Sequence, residues 1–386
     1  MSDPGSLLRL QTVGRKSGRP HSVLLRYVTY DGRIVVFPQK GSSQDWVKNL
    51  SEGPAVVVHA NGKAIEGVAS VKESRGLDDP RYSVFTRKYG TKVVRDRYWG
   101  QTTYIEIEPR SESPVDLDEL VYGDLEAAFD GVAENYDHHI LDNPMNLWLR
   151  NRSVDVMTRV FRPGETILEI GCGTGTETLV LARKGIKVIA SDISSKMLEV
   201  LARKASAAGL GGSIVPVHSR PYELNEKLAL LGYHQVDGVY STYGAVNTEP
   251  RLAEMFSTVQ KLLRPGGKLV LGVWNRYCLY EILGYSLKLR PSMAIARFRN
   301  PVPVGKSRFC IASNAYSVSG VSDVLGAYEL EEVIGVGILL PPSNLLRYLP
   351  PGRLLGLFKR ADAALQAYFP WNRLGDHFIG VYSLRA

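Results

Sequence analysis

The sequence predicts an α/β protein in which a doubly wound, seven-stranded sheet follows a small β-barrel. Three observations predict it. From residue 129 onward, helical and strand patterns alternate, the signature of a parallel sheet. The first 110 residues read instead as short strands punctuated by hairpin turns. Between these parts, residues 111–128 are acidic and contain Pro114, which reads as a linker. At 386 residues the chain is too long for one ordinary core, so two domains are expected, 1–110 and 129–386.

In the front part, residues 7–12, 21–30, 33–38, 55–60, 63–72 and 102–108 are strand candidates. Asp31-Gly32 and Asn61-Gly62 stand between pairs of them as hairpin turns. Residues 43–50 and 80–89 read as helices. In the second part, 166–170 is a short apolar run, read as a buried parallel strand. Ile167-Leu168-Glu169-Ile170-Gly171-Cys172-Gly173-Thr174-Gly175 then turns the chain with three glycines, which let backbone approach a ligand with no Cβ in the way. A helix over 176–184 packs back, and a second strand over 187–191 ends on Asp192, 21 residues after Gly171. A carboxylate at that strand end is placed to hold the hydroxyls of a ribose. A dinucleotide fingerprint needs glycine at 176, where this chain has Thr176, so a pyrophosphate is the weaker reading. Further strands are expected at 213–217, 236–241, 268–273, 329–335 and 377–384, with a helix over 251–263. The long stretch 275–372 reads as a helical cover rich in Tyr and Pro, and its aromatics either form the core of that cover or line an apolar pocket.

Composition bounds the function classes. With 44% hydrophobic and 22% charged residues, the chain is globular in composition. Apolar runs reach about eight residues, far short of the roughly 20 that span a bilayer. No secretory signal is visible at the N-terminus, and Cys172, Cys278 and Cys310 are too scattered for a disulfide framework or a metal knuckle, so a reducing cytoplasm is the expected setting. The net charge of +8 falls mostly in the front third, which suits either an anionic ligand or a solvated face. No basic run interleaved with aromatics points to nucleic acid.

Glu169, the glycine loop and Asp192 resemble the first motifs of class I S-adenosylmethionine-dependent methyltransferases. Val236-Asp237-Gly238-Val239-Tyr240 and Leu263-Arg264-Pro265-Gly266-Gly267-Lys268-Leu269 resemble later motifs of the same family. The resemblance implies a Rossmann-like sheet that binds S-adenosyl-L-methionine. Gly171, Cys172, Gly173 and Gly175 would shape the coenzyme loop, Glu169 would meet the amino end of the methionine part, Asp192 would hold the ribose, and Ile193 would also contact the coenzyme. The residue after the third strand would meet adenine. Members often have Asp there, whereas this chain has His218-Ser219-Arg220, so Ser219 and Arg220 take that place without the acid. Ala133-Glu134-Asn135-Tyr136-Asp137 resembles the lid segment of small-molecule methyltransferases, which makes Tyr136 a candidate coenzyme contact, against simple packing on the sheet. His138 and His139 read as surface residues.

In-line methyl transfer asks mainly for positioning and exclusion of water, with a base where the nucleophile carries a proton. Tyr243 and Asn247 after the fourth strand, Trp274, Arg276 and Tyr277 after the fifth, and Asp376-His377 before the seventh are candidates, with His377 and Tyr243 foremost. Adjacent strand residues point to opposite faces, so direct pairing of Asp376 with His377 is not expected. Arg290, Arg297 and Arg299 meet either an acidic group on the substrate or water.

The barrel also carries a resemblance. Thr12-Val13-Gly14-Arg15-Lys16-Ser17-Gly18, Leu24-Leu25-Arg26-Tyr27 and Asp45-Trp46-Val47-Lys48-Asn49-Leu50 resemble the deazaflavin-dependent nitroreductase family of split β-barrels. That implies binding of the deazaflavin coenzyme F-420, whose phosphate and acidic tail suit Arg15, Lys16, Ser17, Lys40, Trp46 and Asn49. Members usually carry a helical extension where only residues 1–6 stand here, which leaves dimerisation through the barrel, or contact with the second half, as the alternative role. The function expected from the whole is methyl transfer to a small molecule. The rivals are a bifunctional reductase and methyltransferase and a non-catalytic assembly protein.

Overall fold

The computed structural model describes residues 7–15, 18, 20–74, 78–98, 101–299, 301–302, 311, 313–348 and 352–385. Contacts divide the chain into two units, Met1–Leu120 and Val121–Ala386.

The first unit is a closed antiparallel barrel in the order β1-β2-β3-β6-β5-β4. Its strands are β1 (Leu7–Val13), β2 (Pro20–Tyr30), β3 (Arg33–Val36), β4 (Ala55–Ala60), β5 (Lys63–Glu73) and β6 (Thr103–Pro114). The two expected hairpins close on Asp31-Gly32 and Asn61-Gly62, whose φ values of 50, 69, 52 and 72° are those a type I′ turn requires. Alternation along the strands sends Leu8, Leu10, Val36, Val58, Ile105 and Ile107 inward. Helix α1 (Asp45–Glu52) adds Trp46, Val47 and Leu50 to that core. Helices α2 (Pro80–Tyr89) and α3 (Thr91–Tyr98) pack Tyr82, Phe85, Val94 and Tyr98 on a second cluster with Val28, Val35 and Phe37.

The stretch 111–128 is not irregular. Strand β6 runs on to Pro114, and helix α4 spans Leu117–Asp130, so the division between units falls inside a helix. Its acidic residues include Asp118 and Glu119 in the first turn, where they complement the helix dipole.

The second unit is a Rossmann-like sheet in the order β12-β13-β11-β10-β7-β8-β9. In chain order its elements are α5 (Tyr136–Leu141), α6 (Pro144–Val160), β7 (Thr166–Ile170), α7 (Thr176–Arg183), β8 (Lys187–Asp192), α8 (Ser195–Ala207), β9 (Ile214–His218), α9 (Leu224–Leu230), β10 (Val236–Ser241), α10 (Ala245–Thr248), α11 (Leu252–Leu262) and β11 (Leu263–Trp274). The cover follows as α12 (Leu279–Leu287), α13 (Pro291–Ala294) and α14 (Val318–Val324), then β12 (Tyr328–Val336), α15 (Gly352–Leu365) and β13 (His377–Leu384). Strand β13 is antiparallel to both neighbours, while β7 to β11 are mutually parallel. Strands covered on both faces read as near-continuous apolar runs, as Thr166–Ile170 does. Two apolar clusters form from these strands and their helices, one around Leu168, Val239 and Leu271, the other around Ile167, Tyr240 and Val270.

Candidate functional site

From β7 the chain winds outward to β8 and β9, then crosses back to β10 on the other side of β7. The carboxyl ends of β7 and β10 are therefore the switch point at which open α/β sheets bind ligands. Gly171 and Gly173 follow β7 with φ of 76° and 53°. The N–H groups of Gly171 and Cys172 both donate to the Ser191 carbonyl, at 2.8 and 2.9 Å, which fastens the bend to the end of β8. A Cβ on Gly171 would stand 2.6 Å from that of Ala245, so α10 closes directly on the loop. Gly175 faces elsewhere: a Cβ there would collide with Leu201 of α8, which makes it a helix-packing position away from the cavity walls.

Asp192 ends β8 and is 8% exposed. Its Oδ2 accepts from the Gly173 N–H at 2.7 Å and its Oδ1 from the Ser194 N–H at 2.8 Å. Burial raises its pKa against these donors. A carboxylate accepts about four bonds, so the group has capacity left. It lines a cavity with Gly171, Gly173, Ile193, Ser219, Tyr136, Tyr122, Phe129 and Met197. The Ser219 hydroxyl donates to the Arg220 carbonyl at 2.8 Å, and the Ser219 N–H to the Asp192 carbonyl at 3.0 Å. Arg220 does not line this cavity: its guanidinium lies over the Tyr122 ring, 5.5 Å from the centroid, and reaches Tyr222 and Glu223. Glu249, also in the wall, accepts from the Tyr122 hydroxyl.

The start of α5 and the turn before it are bound over this loop. Asp137 accepts from Thr174 and pairs with Lys204 at 2.7 Å, and Glu134 pairs with Arg203 at 2.7 Å. Tyr136 is thereby held where a Cβ on Gly173 would lie 3.6 Å from its ring. A second, smaller cavity opens here, walled by Cys172, Gly173, Thr174, Tyr136, Arg150 and Glu177. Arg150 of α6 and Glu177 of α7 form a buried ion pair. Glu169, expected at this end of the ligand, does not reach it. It is 2% exposed beneath the loop, accepts from Thr178, and lines neither cavity. Burial and the nearby Glu177 carboxylate push its pKa up to about 8.

A third cavity lies beyond Tyr136 and Tyr243, walled by Arg150, Asn146, Trp274, Asn344, Asp376 and His377 among others. Here Asp376 and His377 do pair, with Nδ1 3.1 Å from Oδ2. Asp376 precedes β13, so strand alternation does not govern it. Arg297 is not at the solvent: it is 3% exposed, and its guanidinium pairs with Asp376 at 2.6 Å and Glu281 at 2.8 Å. Despite burial, the Arg297 and His377 charges hold the Asp376 carboxyl well below its usual range. Tyr243 is not free for proton transfer. Its hydroxyl donates to the Leu149 carbonyl beside Ser153, and burial raises its pKa. What it presents to the cavities is its ring, 5.9 Å from the His377 ring, on a backbone held at φ 54°. Asn247 is likewise committed, clamping Trp274 and Asn314 by their backbones.

In the barrel unit, Arg15 donates to Asn49 at 3.3 Å and pairs with Asp45 at 3.1 Å, while Asn49 donates to Thr12 at 3.3 Å. Trp46 is 6% exposed within the barrel core. Lys40 is exposed at the start of the turn before α1. Lys16 and Ser17 lie outside the described residues.

Arg150, Glu177, Tyr122 and Glu249 were not expected at the site. An Arg on a helix reads as a solvated residue, and no spacing joins it to a Glu 27 positions later.

Residues 167–267 match the methyltransferase domain family, and residues 3–102 match the family described as F420H(2)-dependent quinone reductase. The chain therefore joins a domain of each family. Among curated relatives, a demethylmenaquinone methyltransferase of Beutenbergia cavernae is 30% identical over 155 residues, 39% of this chain and 58% of that protein. One of Symbiobacterium thermophilum is 32% identical over 146 residues, 37% of this chain and 55% of that protein. An S-adenosyl-L-methionine-dependent Diels-Alderase of Talaromyces variabilis is 30% identical over 129 residues, 33% of this chain and 43% of that protein. The chain thus spans little more than half the length of the first two relatives. Among solved structures, 1,6-didemethyltoxoflavin-N1-methyltransferase of Burkholderia thailandensis aligns with a TM-score of 0.44 and 14% identity, over 73% of this chain and 96% of that one.

Proposed function

We propose that the second unit transfers a methyl group from S-adenosyl-L-methionine to a small-molecule acceptor. The observation that carries this reading is the meeting of three cavities at Tyr136 and Tyr243, beside the glycine bend at the switch point. The residues present suit the coenzyme. The first cavity offers Asp192 for two ribose hydroxyls and apolar walls at Phe129, Ile193 and Met197 for a purine. The second offers the Arg150 cation for a carboxylate and Glu177 for an ammonium, the role expected of Glu169. When bound, the coenzyme supplies an activated methyl on a sulfonium.

The third cavity takes the acceptor. An Nδ1–H of His377 donating to Asp376 leaves Nε2 with its lone pair. Arg297 keeps Asp376 ionised and in place, so Asp376 acts as a positioning residue and His377 as the base. This arrangement favours an acceptor whose O–H, N–H or acidic C–H must lose a proton as the methyl arrives. The aromatic rings of Tyr136 and Tyr243 exclude water at the junction. Calorimetric titration of the full chain with S-adenosylmethionine and S-adenosylhomocysteine tests the reading. Saturable heat with both is the expected result. No heat with either would leave an assembly role as the better account.

A second activity at the barrel is favoured by the match of residues 3–102 to the F420H(2)-dependent quinone reductase family. The described side chains do not present a ready anion site: Arg15 is taken up by Asp45 and Asn49, and Trp46 is in the core. No hydride step is assigned to them. Fluorescence titration of the full chain with the reduced deazaflavin decides whether the barrel binds it, and absence of binding at tens of micromolar would exclude the second activity.

A further inference from the structure

The cavity beside Asp192 is walled in part by hydroxyl groups whose protons are already placed. Tyr122 of α4 is 1% exposed, and its hydroxyl donates to the Glu249 carboxylate in the same wall. The Glu249 Oε1 also accepts from the Arg251 N–H at 2.9 Å. The Ser219 hydroxyl donates to the Arg220 carbonyl at 2.8 Å, and the Thr248 hydroxyl to the Gly244 carbonyl at 2.9 Å. A hydroxyl carries one proton and two lone pairs. Once the proton is given to a protein acceptor, its oxygen offers a ligand only lone pairs. A ligand that meets Tyr122, Ser219 or Thr248 in this wall therefore has to bring the donor itself.

Tyr122 and Ser219 belong to one end of the cavity. Ser219 follows β9 directly. The Arg220 guanidinium lies over the Tyr122 ring, 5.5 Å from its centroid, and the Tyr222 ring stands 5.6 Å from the same centroid. Tyr122 is thus packed on the chain just after Ser219. This is the end at which the transferase reading puts the purine, beside Ile193. Residues 219–222 hold no acid. Glu249, which follows α10, brings a carboxylate to this end from another element, through Tyr122. Burial and the Glu249 charge raise the Tyr122 pKa, so the hydroxyl keeps its proton, directed at Glu249.

On that reading of the cavity, we propose that the hydroxyl oxygens of Tyr122 and Ser219 accept the two N–H groups of the exocyclic amine on the coenzyme's purine. Glu249 is then a positioning residue: it holds the Tyr122 proton away from the ligand and so fixes that oxygen as an acceptor. The Arg220 carbonyl does the same for Ser219. An exocyclic amine has two N–H groups to give, and the two oxygens match them in number. A purine without the amine forfeits both bonds, and a site built to hydrogen-bond a ligand group rejects the analogue that lacks it. Selection for an aminopurine nucleoside is therefore set by where two protein protons point.

The test is calorimetric titration of the full chain with S-adenosylhomocysteine and with its 6-deamino analogue, whose purine carries hydrogen in place of the amine. The parent should bind the analogue about tenfold or more weakly. Ser219→Ala and Tyr122→Phe should each narrow that ratio about threefold or more. Glu249→Ala, which frees the Tyr122 proton to turn toward the cavity, should narrow it similarly. Loss of packing alone weakens both ligands together and leaves the ratio where it was, so the ratio separates recognition from a structural role. Ser219→Ala removes a single oxygen atom and keeps the test open should the Tyr122 or Glu249 variant fail to fold. A parent that binds both ligands equally, or a ratio that Ser219→Ala and Tyr122→Phe leave unchanged, would overturn this assignment and leave the transferase reading standing. No heat with either ligand would overturn both.

Discussion

In the barrel unit, the guanidinium of Arg15 is held by Asp45 and Asn49, and Asn49 is tied in turn to Thr12. In the sheet unit, Asp192 beside the glycine bend keeps capacity toward a cavity: it accepts N–H bonds from Gly173 and Ser194 and still lines open space. The barrel closes these four residues on each other, and the sheet builds a bend from backbone and leaves a carboxylate at its edge. The contrast teaches that a run of suitable residue types does not by itself make a ligand site. A bend whose backbone conformation excludes side chains comes closer to doing so.

The largest expected effect sharpens the sheet side of this contrast. His377→Ala should lower the rate of methyl transfer by about 10²–10⁴-fold, the range for loss of a general base, with coenzyme affinity kept. A rate within a few-fold of the parent, measured by S-adenosylhomocysteine release once an acceptor is found, would remove His377 from the chemistry. Next, Asp192→Ala should weaken coenzyme binding by about one to two orders of magnitude, because a charge-assisted contact contributes about 1.5–3 kcal/mol. An unchanged dissociation constant would break the contrast, since the sheet would then hold its ligand without that carboxylate.

Two smaller effects probe the closed groups. Glu169 has its folded pKa raised to about 8, above the ordinary carboxylate value. The folded protein then holds a proton that the unfolded chain loses, so stability falls as pH rises from the ordinary carboxylate range toward 8. Glu169→Gln should flatten that decline, read as denaturant midpoints across the window without coenzyme. A slope as steep as the parent's would place the titrating group elsewhere. Arg15→Ala should cost about 1 kcal/mol or less, the usual worth of a partly exposed pair. If instead it left stability intact and removed deazaflavin binding, the barrel would not be closed in the sense drawn above.

Much of this was legible in the sequence for physical reasons. Asp31-Gly32 and Asn61-Gly62 specify hairpins because few other residues adopt positive φ twice in succession. The bend after β7 was legible for the same reason, and Asp192 because it ends a short apolar strand. The Arg150–Glu177 pair was not, because only tertiary packing of α6 on α7 brings the two together. The Asp376–His377 contact was missed by applying the strand rule one residue too early. Glu169 was placed by its neighbourhood in sequence, yet its side chain turns under the loop to Thr178. The acidic residues at 116–119 read as linker, whereas they open helix α4.

The most direct test is a crystal structure of the full chain with S-adenosylhomocysteine. The account predicts the ribose hydroxyls on the Asp192 carboxylate, the purine between Ile193 and Ser219, and the amino-acid end beside Arg150. A nucleoside bound elsewhere, or an Asp192 carboxylate without contact to it, would contradict the account.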